Sequence, residues 1–188
     1  MIILVGKQAS GKTTVVDKLV KDFGYTKAVT YTTRKPRPGE IEGKDYFFVS
    51  DKKFEEMKKE GLFAETAAYD AAFGHVSYGS LLSDYKDVTA KKAIILNPYG
   101  LKAIRNKGIT ANAYFLDVSA ISQRNRLLNR GDDIAEIRRR IKADNEDFGD
   151  IENLDVIRID ADKPLKDVVN CINFEENLLT EGHWSAKT

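Results

Sequence analysis

The chain has little that points outward. Its 188 residues include a single cysteine, Cys171, so no internal disulfide can form, and a reducing cytoplasm is the expected setting. Neither sign of charge is in excess. Thirty Lys and Arg stand against twenty-nine Asp and Glu, a formal net charge of +1, which gives no bulk pull toward nucleic acid or an anionic membrane surface. Long apolar runs are missing too: Met1 to Val5 leads straight into Gly6 and Lys7, too short for the core of a signal peptide or for a membrane span. No repeat or low-complexity tract occurs. The length suits one well-buried core, and the expectation is a single domain over 1–188.

What is present is a rhythm. Apolar, β-branched runs recur at 2–5, 93–96, 113–118 and 156–159, with segments of helical period between them. The alternation predicts an α/β fold with a mostly parallel sheet flanked by helices. From about 31 to 80 the chain turns rich in Thr, Tyr, Phe, Gly and Pro, which predicts a smaller mixed-strand lobe. The helix DKKFEEMKKEG interrupts that lobe and should stop at Gly61. Cys171, in VVNCINF, reads as the apolar side of a late helix. The final TEGHWSAKT has no period and is expected to fray, with Trp184 able to dock.

The segment GKQASGKT fits G-x-x-x-x-G-K-[ST] at Gly6, Gly11, Lys12 and Thr13. A strand-like run precedes it and the amphipathic TTVVDKLVKDFG follows, the context that a phosphate loop requires. Backbone amides of such a loop converge on phosphate oxygens, Lys12 neutralises the β/γ-phosphates, and the Thr13 hydroxyl reaches Mg²⁺. Ala9, Ser10 and Thr14 complete the expected ATP contacts. The competing reading is a plain glycine turn with a solvated lysine. Downstream, Arg34 and Arg37 flank a turn stiffened by Pro36 and Pro38; they form either a clamp for a second phosphate or an exposed basic turn.

Taken together, TTRxPRPGExxGxDYxFVS, the phosphate loop, EGLFAE and YGS resemble the guanylate kinase family, across Met1 to about Ile172. The resemblance implies a P-loop kinase fold that moves the γ-phosphate of ATP to GMP with Mg²⁺. It divides the chain into a core of about 1–30, 81–124 and 146–180, a nucleoside-monophosphate lobe of about 31–80 and a helical lid of about 125–145. It further implies that Arg34, Arg37, Tyr46 and Tyr78 hold the acceptor phosphate, that Thr30 and Glu65 read guanine with Ser80 nearby, and that Arg130 and Arg140 close from the lid. Lys12, Arg34, Arg130 and Arg140 would then stabilise transferring charge. The residues agree in two places. A carboxylate at Glu65 matches the paired N1–H and N2–H donors of guanine. In RNRLLNRGDDIAEIRRRI, Asp133 and Glu136 form a D-x-x-E pattern that can cap a second helix after a break at Gly131. Read without the family, Glu65 is a surface carboxylate and the basic helix a solvated face.

The chain departs from the family in AIILNPYG, where Ile95 and Asn97 replace acids at a strand end. Asn97 is placed among the substrate contacts, and Asp117 is the candidate to supply the missing charge. Asp160 stands where the family often has asparagine near adenine. The link AAYDAAFGHVSYGS is longer than usual and brings Phe73 and His75 toward the nucleotide. Two other functions remain open at this point: a kinase of the same fold acting on a modified deoxynucleotide or ribose bisphosphate, and a non-catalytic binding module.

Overall fold

A computed structural model of the chain describes residues 1–37, 39–71 and 74–182. Pro38, Phe73 and Trp184, each given a part above, lie outside the described residues. Strands β1 (Ile2–Gly6), β2 (Thr26–Lys27), β7 (Lys92–Ile95), β8 (Asn112–Asp117) and β9 (Ile157–Asp160) form one sheet in the order β2-β7-β1-β8-β9, with parallel pairing throughout. A second sheet orders β4 (Phe47–Phe48), β3 (Tyr31–Thr32), β6 (Gly74–Leu81) and β5 (Phe63–Ala71), and it is mixed: β3 pairs parallel with β4 and antiparallel with β6. Helices α1 (Lys12–Phe23), α2 (Asp51–Lys59), α3 (Pro98–Asn106), α4 (Ala120–Asn129), α5 (Ile134–Asp147) and α6 (Leu165–Gly182), with short 3-10 turns at Leu82–Tyr85 and Ile151–Leu154, complete the described elements.

The central strand β1 is apolar at successive positions because both of its faces are covered. Ile2 and Leu4 pack with Val15, Val16 and Leu19 of α1 and Val168, Val169 and Ile172 of α6. On the opposite face Ile3 and Val5 pack with Leu101 and Ile104 of α3. Each such Ile or Leu, removed wholly from water, contributes about 1.5–3 kcal/mol. These two layers fix the carboxyl end of β1, from which the phosphate loop emerges. Because β7 and β8 lie on opposite sides of β1, the loop opens where the strand order reverses, the usual place for a ligand crevice.

Local signals act as the residue types dictate. Gly24 ends α1 in the left-handed conformation, and Ser50 caps α2 by accepting from the backbone N–H of Lys53. Three expectations need correction. The long segment 67–80 belongs to the β5–β6 hairpin, in register from Glu65↔Ser80 to Ala71↔Gly74, so the extra residues lengthen two strands rather than a loop. Helix α6 runs to Gly182, into the tail taken to be aperiodic; residues 183–188 lie outside the described ones. Cys171 is exposed, on the outer face of α6 and not its apolar side. Among the described residues no helix is long and apolar enough to cross a membrane.

Candidate active site

A cavity of about 570 Å³ lies between the two sheets and α5. Of the ATP-binding, substrate-binding and lid residues expected from sequence, all but Ser10 and Ser80 line it: Gly6, Ala9, Gly11, Lys12, Thr13 and Thr14 from the loop, Thr30, Arg34, Arg37, Tyr46, Glu65, Tyr78 and Asn97 from the middle of the chain, Arg130 and Arg140 from the helical pair.

At one end the loop turns sharply off β1. A Cβ at Gly6 would sit 2.5 Å from the Ser10 hydroxyl and 3.0 Å from the Leu116 carbonyl, so only glycine fits there. The same packing holds Ser10. Its side chain is buried without a hydrogen-bond partner, and its backbone N–H donates to Lys7. The Lys12 ammonium is folded back onto the Gly6 and Lys7 carbonyls at 2.6 and 2.9 Å. Burial lowers its pKa to about 8, with the charge of Asp144 pulling the other way. A half-buried cation whose bonds go to neutral oxygens is placed to take an anion.

At the other end the arginines meet. Arg34 is only 4 % exposed, which removes the exposed-turn reading for it. Its guanidinium forks onto Glu40 at 2.8 and 2.9 Å and donates to the Tyr78 hydroxyl at 3.3 Å. Burial opposes its charge, but the Glu40 and Tyr78 bonds outweigh burial and raise its pKa. Tyr46 lies under it, 5.4 Å from ring centre to guanidinium carbon. Arg37 makes no ion pair with a described carboxylate; desolvation, then the charges of Arg34 and Arg140, lower its pKa. Arg140 bonds Glu136 at 2.7 Å and Asp132 at 3.1 Å, while Arg130, half exposed, also holds Asp132. The convergence of Arg34, Arg37 and Arg140 favours an anion among them.

Glu65 sits in the same cavity, 6 % exposed. Burial raises its pKa, and a 2.7 Å bond from Ser80 works against that rise. Ser80 is itself fully buried and shares a 2.8 Å bond with Tyr85, so it fixes the direction of the Glu65 carboxylate. Gly100 makes the approach possible: a Cβ there would lie 2.9 Å from Glu65 Oε2. Asn97 caps α3, its Oδ1 accepting from the Gly100 N–H at 2.7 Å.

The helical pair is α4, a break at Arg130–Asp133, then α5. Asp133 caps α5 as expected, accepting from Ala135 and Glu136. The other half of the capping box is absent, since Glu136 turns to Arg139 and Arg140, which lower its pKa to about 2. On the inner face Ile137, Arg140 and Asp144 are buried together, so this helix is not a solvated basic surface.

For a metal, the chain offers the Thr13 hydroxyl, exposed in the cavity. Among the described residues no three acids or histidines cluster. Asp117 does not compensate: it pairs with Arg158 and does not line the cavity, and exposed Asp160 is likewise outside it. One protein oxygen suits Mg²⁺ carried in by phosphate oxygens, since that ion keeps several waters. His75, exposed on β6, does not line the cavity either.

Sequence reasoning missed Glu40, Gly100, Gln123 and Asp144. Glu40 had a signal, a carboxylate closing the turn that carries both arginines. Gly100, Gln123 and Asp144 matter only through residues distant in the chain, and no local pattern marks them.

Comparisons with known proteins agree with this geometry. The guanylate kinase family model matches residues 1–173. The chain is similar to guanylate kinase of Wolbachia pipientis wMel, 32% identical over 93% of this chain and 90% of the relative, and to that of Clostridioides difficile strain 630, 32% identical over 94% and 88%. Among solved structures, guanylate kinase from Anaplasma phagocytophilum shares the fold with a TM-score of 0.66 at 22% identity, covering 97% of this chain and 85% of that one. On the family match and these identities, the chain belongs to the guanylate kinase family.

Proposed function

We propose that the protein transfers the γ-phosphoryl group of ATP to GMP, or to dGMP, in one in-line step, as a cytoplasmic nucleoside monophosphate kinase. The observation that carries this reading is a buried carboxylate, Glu65, opening into the same cavity as a complete phosphate loop and an arginine cluster. The roles follow from position. The loop amides and Lys12 take the ATP phosphates; Arg34, Arg37, Tyr46 and Tyr78 hold the acceptor phosphate; Thr30 and Glu65 face the guanine edge. Arg130 and Arg140, from the helical pair that lines the cavity, would offset charge as it moves to the equatorial oxygens. When bound with ATP at Thr13, Mg²⁺ would neutralise charge across the β- and γ-phosphates.

Adenine presents an acceptor where guanine presents N1–H, so an ionised Glu65 facing AMP would lose its partners. Sites built on such bonds discriminate by about 10⁴ or more. Neither alternative read from sequence gains support: the phosphate loop is complete, against a silent module, and a buried, oriented carboxylate in the cavity suits a base with paired N–H donors better than a sugar phosphate.

The test is GDP formation over a panel of acceptors by wild type and Glu65→Gln. GMP or dGMP should be strongly preferred, and the substitution should lower kcat/KM for GMP by at least about 10²-fold while leaving ATP affinity within about threefold. Equal use of AMP, or equal losses for both nucleotides, refutes the assignment.

A further inference from the structure

The phosphate loop contains a residue in a conformation that its side chain disfavours. Ala9 has φ 57°, the left-handed region, where the Cβ crowds the next carbonyl and the population falls by a factor of about 5 to 30. Such a backbone persists where its surroundings over-determine it. The surroundings here come from both helices of the lid. The Gln8 N–H donates to Asp144 Oδ2 at 2.9 Å, and the Gln8 carbonyl accepts from Gln123 Nε2 at 3.2 Å. Gln123 Nε2 also donates to that same Asp144 oxygen, closing a triangle. Gln123 is 1 % exposed and Asp144 5 %. Two buried polar side chains need partners in hand, and both find one on the same loop residue, Gln8, whose N–H and C=O belong to the two successive peptide groups leading into Ala9. Arg126 adds a 3.2 Å bond to the carbonyl of Ala9 itself.

We propose that Asp144 and Gln123 are positioning residues that clamp Gln8 through the peptide groups on either side of it, so that Ala9 stays left-handed and the loop amides aim at the donor's phosphate chain. This rests on the reading of the loop as the ATP phosphate site. Neither side chain needs to touch ATP; each acts through Gln8. The clamp also joins the base of the lid to the loop, so donor binding and lid placement share one set of hydrogen bonds.

The test is a double-mutant cycle read as ATP affinity by calorimetry, without acceptor, on wild type, Asp144→Ala, Ala9→Gly and the double variant. Glycine takes a positive φ without steric cost. Asp144→Ala should therefore weaken ATP binding about tenfold when Ala9 is present, within the factor set by the left-handed penalty. In the A9G background the same change should cost less than about threefold. Equal losses in both backgrounds, or no loss in either, overturn the clamp. Should Asp144→Ala fail to fold, judged by thermal melting, Gln123→Met carries the same cycle: it keeps the side-chain volume on α4 but removes the bond to the Gln8 carbonyl. If wild type binds no ATP, the loop assignment itself has failed. Binding with equal losses in both backgrounds leaves that assignment standing and removes only the clamp.

Discussion

On the proposed function, the two ends of the cavity would hold phosphate by different means. At the donor end the groups are backbone amides and one lysine, and the lysine rests on neutral carbonyls. At the acceptor end they are side chains whose charges are largely matched beforehand, Arg34 by Glu40 and Arg140 by Glu136 and Asp132. The difference teaches where each end is fragile. A backbone site depends on the conformation of a few peptides, whereas a side-chain site depends on the counter-ions and packing that hold each guanidinium in place.

The largest break in this comparison should come from Lys12→Ala. Removing the one lysine at the donor end should lower kcat by about 10²-fold or more, with GMP affinity by calorimetry nearly unchanged. Parallel losses for both nucleotides would mean that the ends are not separable.

A smaller effect belongs to the acceptor end. Gly100→Ala drives a Cβ to 2.9 Å from Glu65 Oε2. Overpacking of this kind costs about 1–3 kcal/mol, so the KM for GMP should rise roughly tenfold while the KM for ATP stays put. An unchanged KM for GMP would show that Glu65 has room to shift.

The smallest effect is in pH. Burial raises the pKa of Glu65 above the ordinary glutamate value of 4.5, and guanine is read by the ionised form. Protonation must be reversed before GMP binds, so affinity should fall as pH drops through that raised pKa, earlier than for an exposed glutamate. ATP affinity measured over the same range should not show this limb. Glu65→Gln should abolish it; a limb that persists in the variant belongs to another group.

The fold was legible where one physical rule decides the outcome. A central parallel strand has to be apolar on both faces, and 2–5 is; a strand-to-helix turn that admits backbone amides has to carry glycine, and Gly6 and Gly11 do. The site was legible where residues adjacent in sequence act together, as in Arg34 and Arg37, or where a family pattern named them, as with Glu65. Which way the Ser10 and Ser80 hydroxyls point was not legible, because nothing local in the sequence marks it. One is packed under Gly6 and the other behind Glu65. Gln123 and Asp144 were invisible because a polar residue on a basic helix reads as solvated until the opposing loop is known. The burial of Ile137, Arg140 and Asp144 along one face of α5 makes sense only with the cavity in view.

The account stands on one cleft serving two nucleotides, and inhibition by a single molecule tests it most directly: adenosine and guanosine joined through a phosphate chain long enough to reach both ends. It should compete with ATP and with GMP alike, and lose affinity in both Lys12→Ala and Glu65→Gln. Competition against only one of the two nucleotides would contradict the account.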